Sequence, residues 1–167
     1  MSAAPEPRPV SASRSELIRW MGVQDANAAG FVHGGVVMKT CDEAAAIAAI
    51  RHSGRRVVTA GVDRVTFTEP VGIGELLTCS ATVNAAWRTS MEVGVRVEAE
   101  DARTGSRRHT STAYVTMVAL DDQGRPTPVP DVIAESVDEQ RRQREAELRR
   151  ANRLAERDQI LGGRGPG

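Results

Sequence analysis

The residue best suited to chemistry is Asp42, an acid in the middle of a strongly apolar segment. Residues 36–51 (VVMKTCDEAAAIAAIR) contain no Gly or Pro and are dominated by Ala, Val, Met and Ile, which predicts a buried helix. A carboxylate on such a helix reaches solvent only in a cleft, where it can act as a general base for water or as a nucleophile. The alternative is an ordinary surface pair with Glu43 beside Lys39, because these three side chains share one narrow arc of the helix.

Two consecutive glycines, Gly34 and Gly35, precede this helix. The first turn of a helix has N–H groups without intrahelical acceptors and carries a partial positive charge. Because glycines have no side chains, a carbonyl oxygen could approach these N–H groups and be polarised, as an oxyanion hole requires. The alternative is that the glycines only allow the chain to turn into the helix.

Two polar residues upstream are further candidates for the same site. Three roles are open for His33: a metal ligand, an acid–base group, or a histidine that only positions the backbone. Because no second His or Cys lies near it in the sequence, no metal site is predicted. Asn27 is either a site residue or a turn former. Cys41 adjoins Asp42, but neighbouring side chains on a helix point about 100° apart, so we interpret it as a core cysteine.

The remaining segments predict an antiparallel sheet wrapped around the helix, an α+β fold class. Apolar residues alternate with polar ones, so one face of the sheet is expected to be buried and the other, including Asn84 and Glu92, to be wet. A strand or a helical turn is expected within residues 14–32. A second subunit can extend such a sheet at its edge. The four strand-like segments are residues 56–68, 75–87, 90–100 and 107–120.

The two ends of the chain differ from its centre. Residues 1–13 and 161–167 are rich in small residues, Pro or Gly and are expected to be disordered tails. They flank a predicted domain over residues 14–131 and a charged helix over residues 132–160. This helix is interpreted as a solvated helix on the body of the protein, a helix that binds a partner or a second copy, or an RNA-binding element. Its balanced charge argues against RNA.

The composition limits the class of protein. A chain of 167 residues, 40% hydrophobic and 26% charged, is typical of one globular domain. Its 22 basic and 22 acidic residues cancel, which argues against a nucleic-acid partner. The 2 cysteines are far apart in the sequence, which excludes a disulfide framework and fits a reducing cytosol. No apolar run is long enough for a membrane span or a signal segment, so we expect a cytoplasmic protein without a membrane partner.

Taken together, the candidate residues resemble the signature of a known family. The run DANAAGFVHGG at residues 25–35, followed by MK at 38–39 and DEAA at 42–45, is similar to the acyl-CoA thioesterases of the hotdog fold. The closer resemblance is to the subgroup of brain-type cytosolic acyl-CoA hydrolases and their single-domain bacterial relatives. It covers residues 14–131 and continues through the segments 57–63, 70–74 and 88–92 and through Phe67.

The resemblance implies a fold and an assembly. In this family a long central helix is wrapped by a curled antiparallel sheet, and a charged C-terminal helix is common. Two copies pair edge to edge with the active sites at their interface, so this chain would form a homodimer, usually assembled into a trimer of dimers. The implied reaction is hydrolysis of fatty acyl-CoA to free CoA and a carboxylic acid. CoA is part of the substrate, and no cofactor or metal is implied.

The resemblance also implies roles for individual residues. Asp42 would activate water, and Asn27 of the other subunit would face it. The helix N-terminus would be presented to the thioester oxygen by His33, Gly34 and Gly35. The CoA-binding residues implied by the motif are Gly61, Arg88, Thr89 and Ser90.

The sequence leaves two other functions open. Some hydratases and dehydratases of this fold resemble an Asp-x-Asn-(two residues)-His pattern, which Asp25 and Asn27 match. In this chain, however, His33 falls eight residues after Asp25 instead of five. The charged C-terminal helix instead favours a non-enzymatic CoA-binding or oligomer-forming module. Aromatic residues make up only 3% of the chain, so few side chains are available to shape an acyl pocket.

Overall fold

A long helix and an antiparallel sheet dominate the computed structural model of the protein, which describes residues 5–162. The helices are α1 (Gly34–Ser53) and α2 (Val137–Gly162), and short 3-10 turns cover Val10–Ser13 and Val23–Asp25. The strands are β1 (Arg8–Pro9), β2 (Ser15–Trp20), β3 (Arg56–Val62), β4 (Thr66–Phe67), β5 (Leu76–Ala86), β6 (Ser90–Glu100), β7 (Arg107–Leu120) and β8 (Val132–Ile133).

The main sheet has the strand order β2-β5-β6-β7-β3, with β4 also paired to β7, and all of these pairs are antiparallel. β1 and β8 form a separate parallel pair. The predicted strands 90–100 and 107–120 coincide with β6 and β7, and 75–87 matches β5 to within one residue at each end. The predicted strand 56–68 is two strands, β3 and β4, with residues 63–65 outside the ladder.

Helix α1 extends two residues beyond the predicted helix at each end. It begins at Gly34 because the side chain of His33 caps it, with Nδ1 accepting a hydrogen bond from the Gly35 N–H at 2.9 Å. It ends at Ser53, and Gly54 adopts the left-handed conformation, φ 65°, that favours glycine after a helix. The centre of the buried face carries four alanines: Ala44, Ala45, Ala48 and Ala49. These small side chains let the sheet approach closely, and α1 contacts β2, β3, β5, β6 and β7.

The hydrophobic core lies between α1 and the inner face of the sheet. Val93, Val95 and Val97 of β6 are fully buried there, as their alternation predicted. On the outer face the prediction of a wet surface is wrong for Asn84 and Glu92, which are 2% and 0% exposed. The reason is that α2 lies over this part of the sheet, which adds a third layer.

Arginine side chains hold α2 against the sheet. Arg149 donates hydrogen bonds to both carboxylate oxygens of Glu92, the shortest at 2.7 Å, and lies 3.6 Å from the centre of the Tyr114 ring. Arg153 pairs with Asp63, just beyond the end of β3, at 2.7 Å. These contacts agree with the interpretation of a helix that lies on the body of the protein. The helix begins at Val137, later than predicted, because part of residues 132–160 forms β8.

Replacing Arg149 by methionine is expected to lower the free energy of unfolding by about 3–5 kcal/mol, because Glu92 would remain buried without its main charge partner. The carboxylate of Glu92 is fully buried, whereas the Arg149 side chain is 22% exposed. Urea unfolding followed by circular dichroism measures the change. The double variant Glu92→Met/Arg149→Met is expected to regain most of the loss, since no unpaired charge remains. A loss below about 1 kcal/mol in the single variant would mean that the pair behaves like a surface ion pair.

The N-terminal segment is more ordered than predicted. Within the expected tail 1–13, residues 8–13 form β1 and a 3-10 turn, and Val10 is 2% exposed. The hydroxyl of Ser13 accepts a hydrogen bond from the Val83 N–H at 2.9 Å, which ties the segment to β5. The expectation of disorder is therefore wrong for residues 8–13, because these contacts bury part of the segment. Residues 1–4 lie outside the described residues.

At the other end, α2 continues through Leu161 and Gly162, the first two residues of the expected C-terminal tail. The rest of that tail, residues 163–167, lies outside the described residues. Between residues 5 and 162, neither helix combines the length and the apolar character that crossing a membrane requires.

Candidate active site

The first turn of α1 offers one backbone donor that is still free. The Gly35 N–H is bound by Nδ1 of His33, and the carbonyl oxygen of His33 accepts from the N–H groups of Val36 (2.8 Å) and Val37 (3.4 Å). Within the described chain, the N–H of Gly34 has no acceptor. His33 therefore positions the helix end as its cap. A further carbonyl oxygen can bind at Gly34 without displacing any protein group.

The loop before α1 is organised by Asn27. Its Oδ1 accepts hydrogen bonds from the N–H groups of Ala29 (2.9 Å) and Phe31 (3.1 Å), so the side chain forms the turn. No partner within residues 5–162 accepts from its Nδ2, which leaves this amide able to donate. Asn27 is half-buried and lines the same cavity as Gly34. The turn-forming interpretation is thus compatible with a role in the site.

A side chain of the sheet orients the carboxylate of Asp42. The hydroxyl of Thr59 on β3 donates a hydrogen bond to Oδ1 of Asp42 at 2.5 Å. In the described chain no other hydrogen bond reaches this half-buried carboxylate. Lys39 pairs with Glu43 at 3.8 Å. The surface-pair interpretation therefore fits Lys39 and Glu43, whereas Asp42 has one oxygen oriented by Thr59 and another available to water.

Thr59 is the candidate that sequence reasoning missed. A β-bulge between Thr59 and Gly61 shifts the register of β3 against β7 just beyond this residue. Such bulges re-aim side chains and are frequent next to active sites. The sequence marks Thr59 as a polar residue in a Val-rich strand and as part of the segment 57–63 that carries the family resemblance, but neither signal indicates a partner on the helix.

Within one protomer, Asp42 and the helix N-terminus lie far apart. Asp42 follows Gly34 by eight positions in α1, which corresponds to about 12 Å along the helix axis. No hydrogen bond joins Asn27 to Asp42 in the part of the chain that the structure describes. The structure therefore brings Asn27 and Gly34 together at one place and Asp42 and Thr59 at another.

The residues expected to bind CoA lie at the turn that leads into β6 and on β3. Arg88 and Thr89 form the turn between β5 and β6, and Ser90 is the first residue of β6. The Thr89 carbonyl accepts a hydrogen bond at 3.0 Å from the N–H of Ala119, which pairs with the start of β3. Arg88 is exposed and has no ion pair among the described residues, so its guanidinium can bind a phosphate. Gly61 is exposed on β3, two residues beyond Thr59.

The two cysteines belong to the core. Cys41 and Cys79 are buried, with 4.0 Å between their sulfur atoms. The hydrogen bond with Cys41, together with burial, raises the pKa of the Cys79 thiol. The interpretation of Cys41 as a core residue agrees with this environment. Among residues 5–162, no group of three or more His, Cys, Asp or Glu side chains could hold a metal ion.

Comparison with known proteins identifies the family of this chain. Residues 29–106 match the model of the "Thioesterase superfamily". The cytosolic acyl coenzyme A thioester hydrolase of Rattus norvegicus is 39% identical over 155 residues, which is 92% of this chain and 41% of that protein. This chain thus spans about two fifths of the length of that curated relative.

Solved structures show the same relationship over nearly whole chains. A hexameric acyl-CoA thioesterase, solved in its apo form, is 38% identical with a TM-score of 0.87 over 91% of this chain and 97% of that one. The acyl-CoA hydrolase of Staphylococcus aureus, solved with butyryl coenzyme A, coenzyme A and coenzyme A disulfide, is 35% identical with a TM-score of 0.86 over 93% of this chain and 95% of that one. The chain belongs to the thioesterase superfamily and, within it, to the acyl-CoA thioester hydrolases. The predicted family and hotdog fold are thereby confirmed.

Proposed function

We propose that this protein hydrolyses the thioester bond of acyl-CoA. The observation that carries the proposal is the carboxylate of Asp42, which is half-buried on an apolar helix and oriented by a 2.5 Å hydrogen bond from Thr59. A carboxylate fixed in this way can accept a proton from water. The free N–H of Gly34 supplies the donor for the carbonyl oxygen, on which negative charge develops during attack.

The proposed reaction is the addition of water followed by the loss of thiolate. Asp42 removes a proton from water as the water oxygen forms a bond to the carbonyl carbon, and the Gly34 N–H stabilises the resulting oxyanion. Collapse of this intermediate breaks the carbon–sulfur bond. The sulfur of CoA leaves with the electron pair and receives the proton held by Asp42. The products are a carboxylic acid and free CoA, and the scheme uses no cofactor or metal.

The relatives support the assignment of the three polar residues. The Staphylococcus aureus hydrolase has also been solved as three variants in which a single asparagine, aspartate or threonine is replaced by alanine. The three positions are spaced 15 and 17 residues apart in that chain. Asn27, Asp42 and Thr59 have the same spacings, 15 and 17 residues, in this one.

A homodimer would complete the proposed site. Within one protomer, Asp42 lies about 12 Å along the helix from the N-terminus of α1. The reaction needs both groups at one thioester. Two copies related by a two-fold axis can place Asp42 and Thr59 of one copy beside Asn27 and Gly34 of the other, which forms two equivalent sites. The edge strand β3 and its exposed Val58 and Val62 offer a surface for this pairing.

Larger assembly, CoA binding and localisation are part of the same proposal. The hexameric relative supports a trimer of dimers. The butyryl coenzyme A complex of the Staphylococcus aureus hydrolase supports a CoA site, which we assign to Arg88, Thr89, Ser90 and Gly61. The cytosolic rat relative supports a cytoplasmic location. No nucleic-acid or membrane partner is proposed.

Free-thiol release from a panel of acyl-CoAs, from acetyl-CoA to palmitoyl-CoA, tests the function directly. We expect the wild-type protein to release CoA thiol from at least one member of the panel. Crotonyl-CoA is included as a second readout, because loss of the enoyl absorbance without thiol release would indicate hydration instead. Absence of thiol release from every substrate would overturn the thioesterase proposal.

A further inference from the structure

A cavity of about 350 Å³ opens at the N-terminus of α1. Its floor is formed by Val32, Val37 and Val71, which are 6%, 3% and 4% exposed. Its walls are formed by Phe31 and Phe67, and Gly34 lies at its edge. The cavity is thus apolar at the bottom and meets a free backbone N–H at the top.

Both phenylalanines of the chain lie at this cavity. The sequence contains only 2 phenylalanines, and Phe31 and Phe67 are 44% and 45% exposed. The ring of Phe67 lies beside Gly34, at ordinary van der Waals distance, 3.5 Å, from where a Cβ would stand. When an apolar group fills an apolar cavity lined by exposed aromatic rings, the free energy falls because apolar surface is removed from water. Two of the few aromatic residues of this chain therefore lie where an apolar ligand would enter the cavity.

The floor of the cavity is held by a rigid turn. The carboxylate of Glu75 accepts a hydrogen bond from the Gly72 N–H at 2.6 Å and pairs with Arg108, which also donates to the Pro70 carbonyl at 2.8 Å. The hydrogen bond from Arg108 holds the pKa of Glu75 below its usual range. These contacts fix the residues on both sides of Val71. The part of the cavity around Val71 is therefore fixed before any ligand binds.

We infer that this cavity binds the acyl chain of the substrate and that Phe67 and Val71 determine which chain lengths are preferred. The inference rests on the thioesterase function proposed above. A thioester whose oxygen is bound at the Gly34 N–H has its alkyl group at the edge of the cavity, next to the Phe67 ring. The thioester sulfur then faces away from the cavity, in the direction of the CoA moiety.

The volume that one protomer contributes to the cavity gives the expected chain-length class. At about 30 Å³ for each non-hydrogen atom, the share of a water molecule in the liquid, the cavity holds roughly a dozen atoms. Medium-length chains such as decanoyl therefore fill it, while acetyl leaves it empty. The kcat/KM is expected to rise from acetyl-CoA to decanoyl-CoA and to gain little more with palmitoyl-CoA, because further carbons find no apolar surface inside.

The Phe67→Ala variant tests the inference with acetyl-, hexanoyl-, decanoyl- and palmitoyl-CoA. Loss of the ring is expected to lower kcat/KM for decanoyl-CoA about tenfold, with acetyl-CoA changed less than about twofold, because the decanoyl chain covers much more of the ring than the acetyl methyl group does. The matched control is Ile133→Ala, which removes an apolar side chain of similar exposure, 44%, from β8. Val71→Leu, which fills part of the floor, is expected to shift the preference toward shorter chains.

The outcomes separate this inference from the proposed function. If the wild-type protein releases no thiol from any acyl-CoA, the proposed function fails. If it is active and the chain-length profile of Phe67→Ala equals that of the wild type, only the acyl-cavity inference fails. An unchanged profile together with a change of oligomeric state in size-exclusion chromatography would assign the Phe67 ring to the pairing of copies instead of to the acyl chain, and the inference would be wrong. Because Phe67 lies at the surface, its variant provides the test even if Val71→Leu does not fold.

Discussion

Replacing Asp42 by asparagine is expected to lower kcat for acyl-CoA hydrolysis about a thousandfold, the middle of the range for loss of a general base. Asparagine has nearly the same shape and can still accept the hydrogen bond from Thr59, so the loss reports the missing base and not a missing contact. KM is expected to change much less, because Asp42 acts on water and not on the bound CoA. Free-thiol release under saturating substrate gives kcat for both proteins.

Glu43→Gln is the matched control for Asp42→Asn. It removes an adjacent carboxylate from the same helix, but one that pairs with Lys39 at 3.8 Å and whose side chain is 47% exposed. We expect its kcat to stay within about twofold of the wild type, since a surface ion pair contributes little. If Asp42→Asn also retained wild-type turnover, the carboxylate would be a structural acid, and the proposed mechanism would be wrong.

Mixing two inactive variants is expected to restore activity. When Asn27→Ala and Asp42→Asn proteins are unfolded and refolded together, half of the dimers contain one chain of each kind. In such a dimer one site carries both substitutions, and the other combines the intact Asn27 of one chain with the intact Asp42 of the other. About a quarter of all sites are then intact, so turnover should recover to ~25% of the wild type. Each variant refolded alone gives the baseline.

The mixing experiment discriminates between shared and separate sites. Size-exclusion chromatography checks that the mixture and the parent variants have the same assembly state. If each protomer contained a complete site, no mixed dimer would hold both intact residues in one site. Turnover of the mixture would then equal the mean of the two variants, and the two-copy site would be excluded. A mixture of Glu43→Gln with Asp42→Asn serves as a second reference, because only the Asp42 sites are lost.

The sequence alone determined most of the secondary structure and the residues that could do chemistry. The helix over residues 36–51 and the strands β5, β6 and β7 follow from hydrophobic periodicity, which records the apolar face of each segment. The candidate roles of the acid on the apolar helix and of the glycines at its start follow from their residue types. Since these are local properties, they could be predicted from neighbouring residues, and the similarity to known thioesterases followed from the same motifs.

The tertiary structure decided how these groups meet. Thr59 is hydrogen-bonded to Asp42 because β3 pairs with β7 beside α1, and no periodicity encodes this contact between residues 17 apart. Glu92 lies on the polar side of an alternating strand, yet it is buried because α2 brings Arg149 to it from 57 residues away. Local sequence records which surface of an element is apolar. The identity of the surface that covers it depends on the packing of the whole chain.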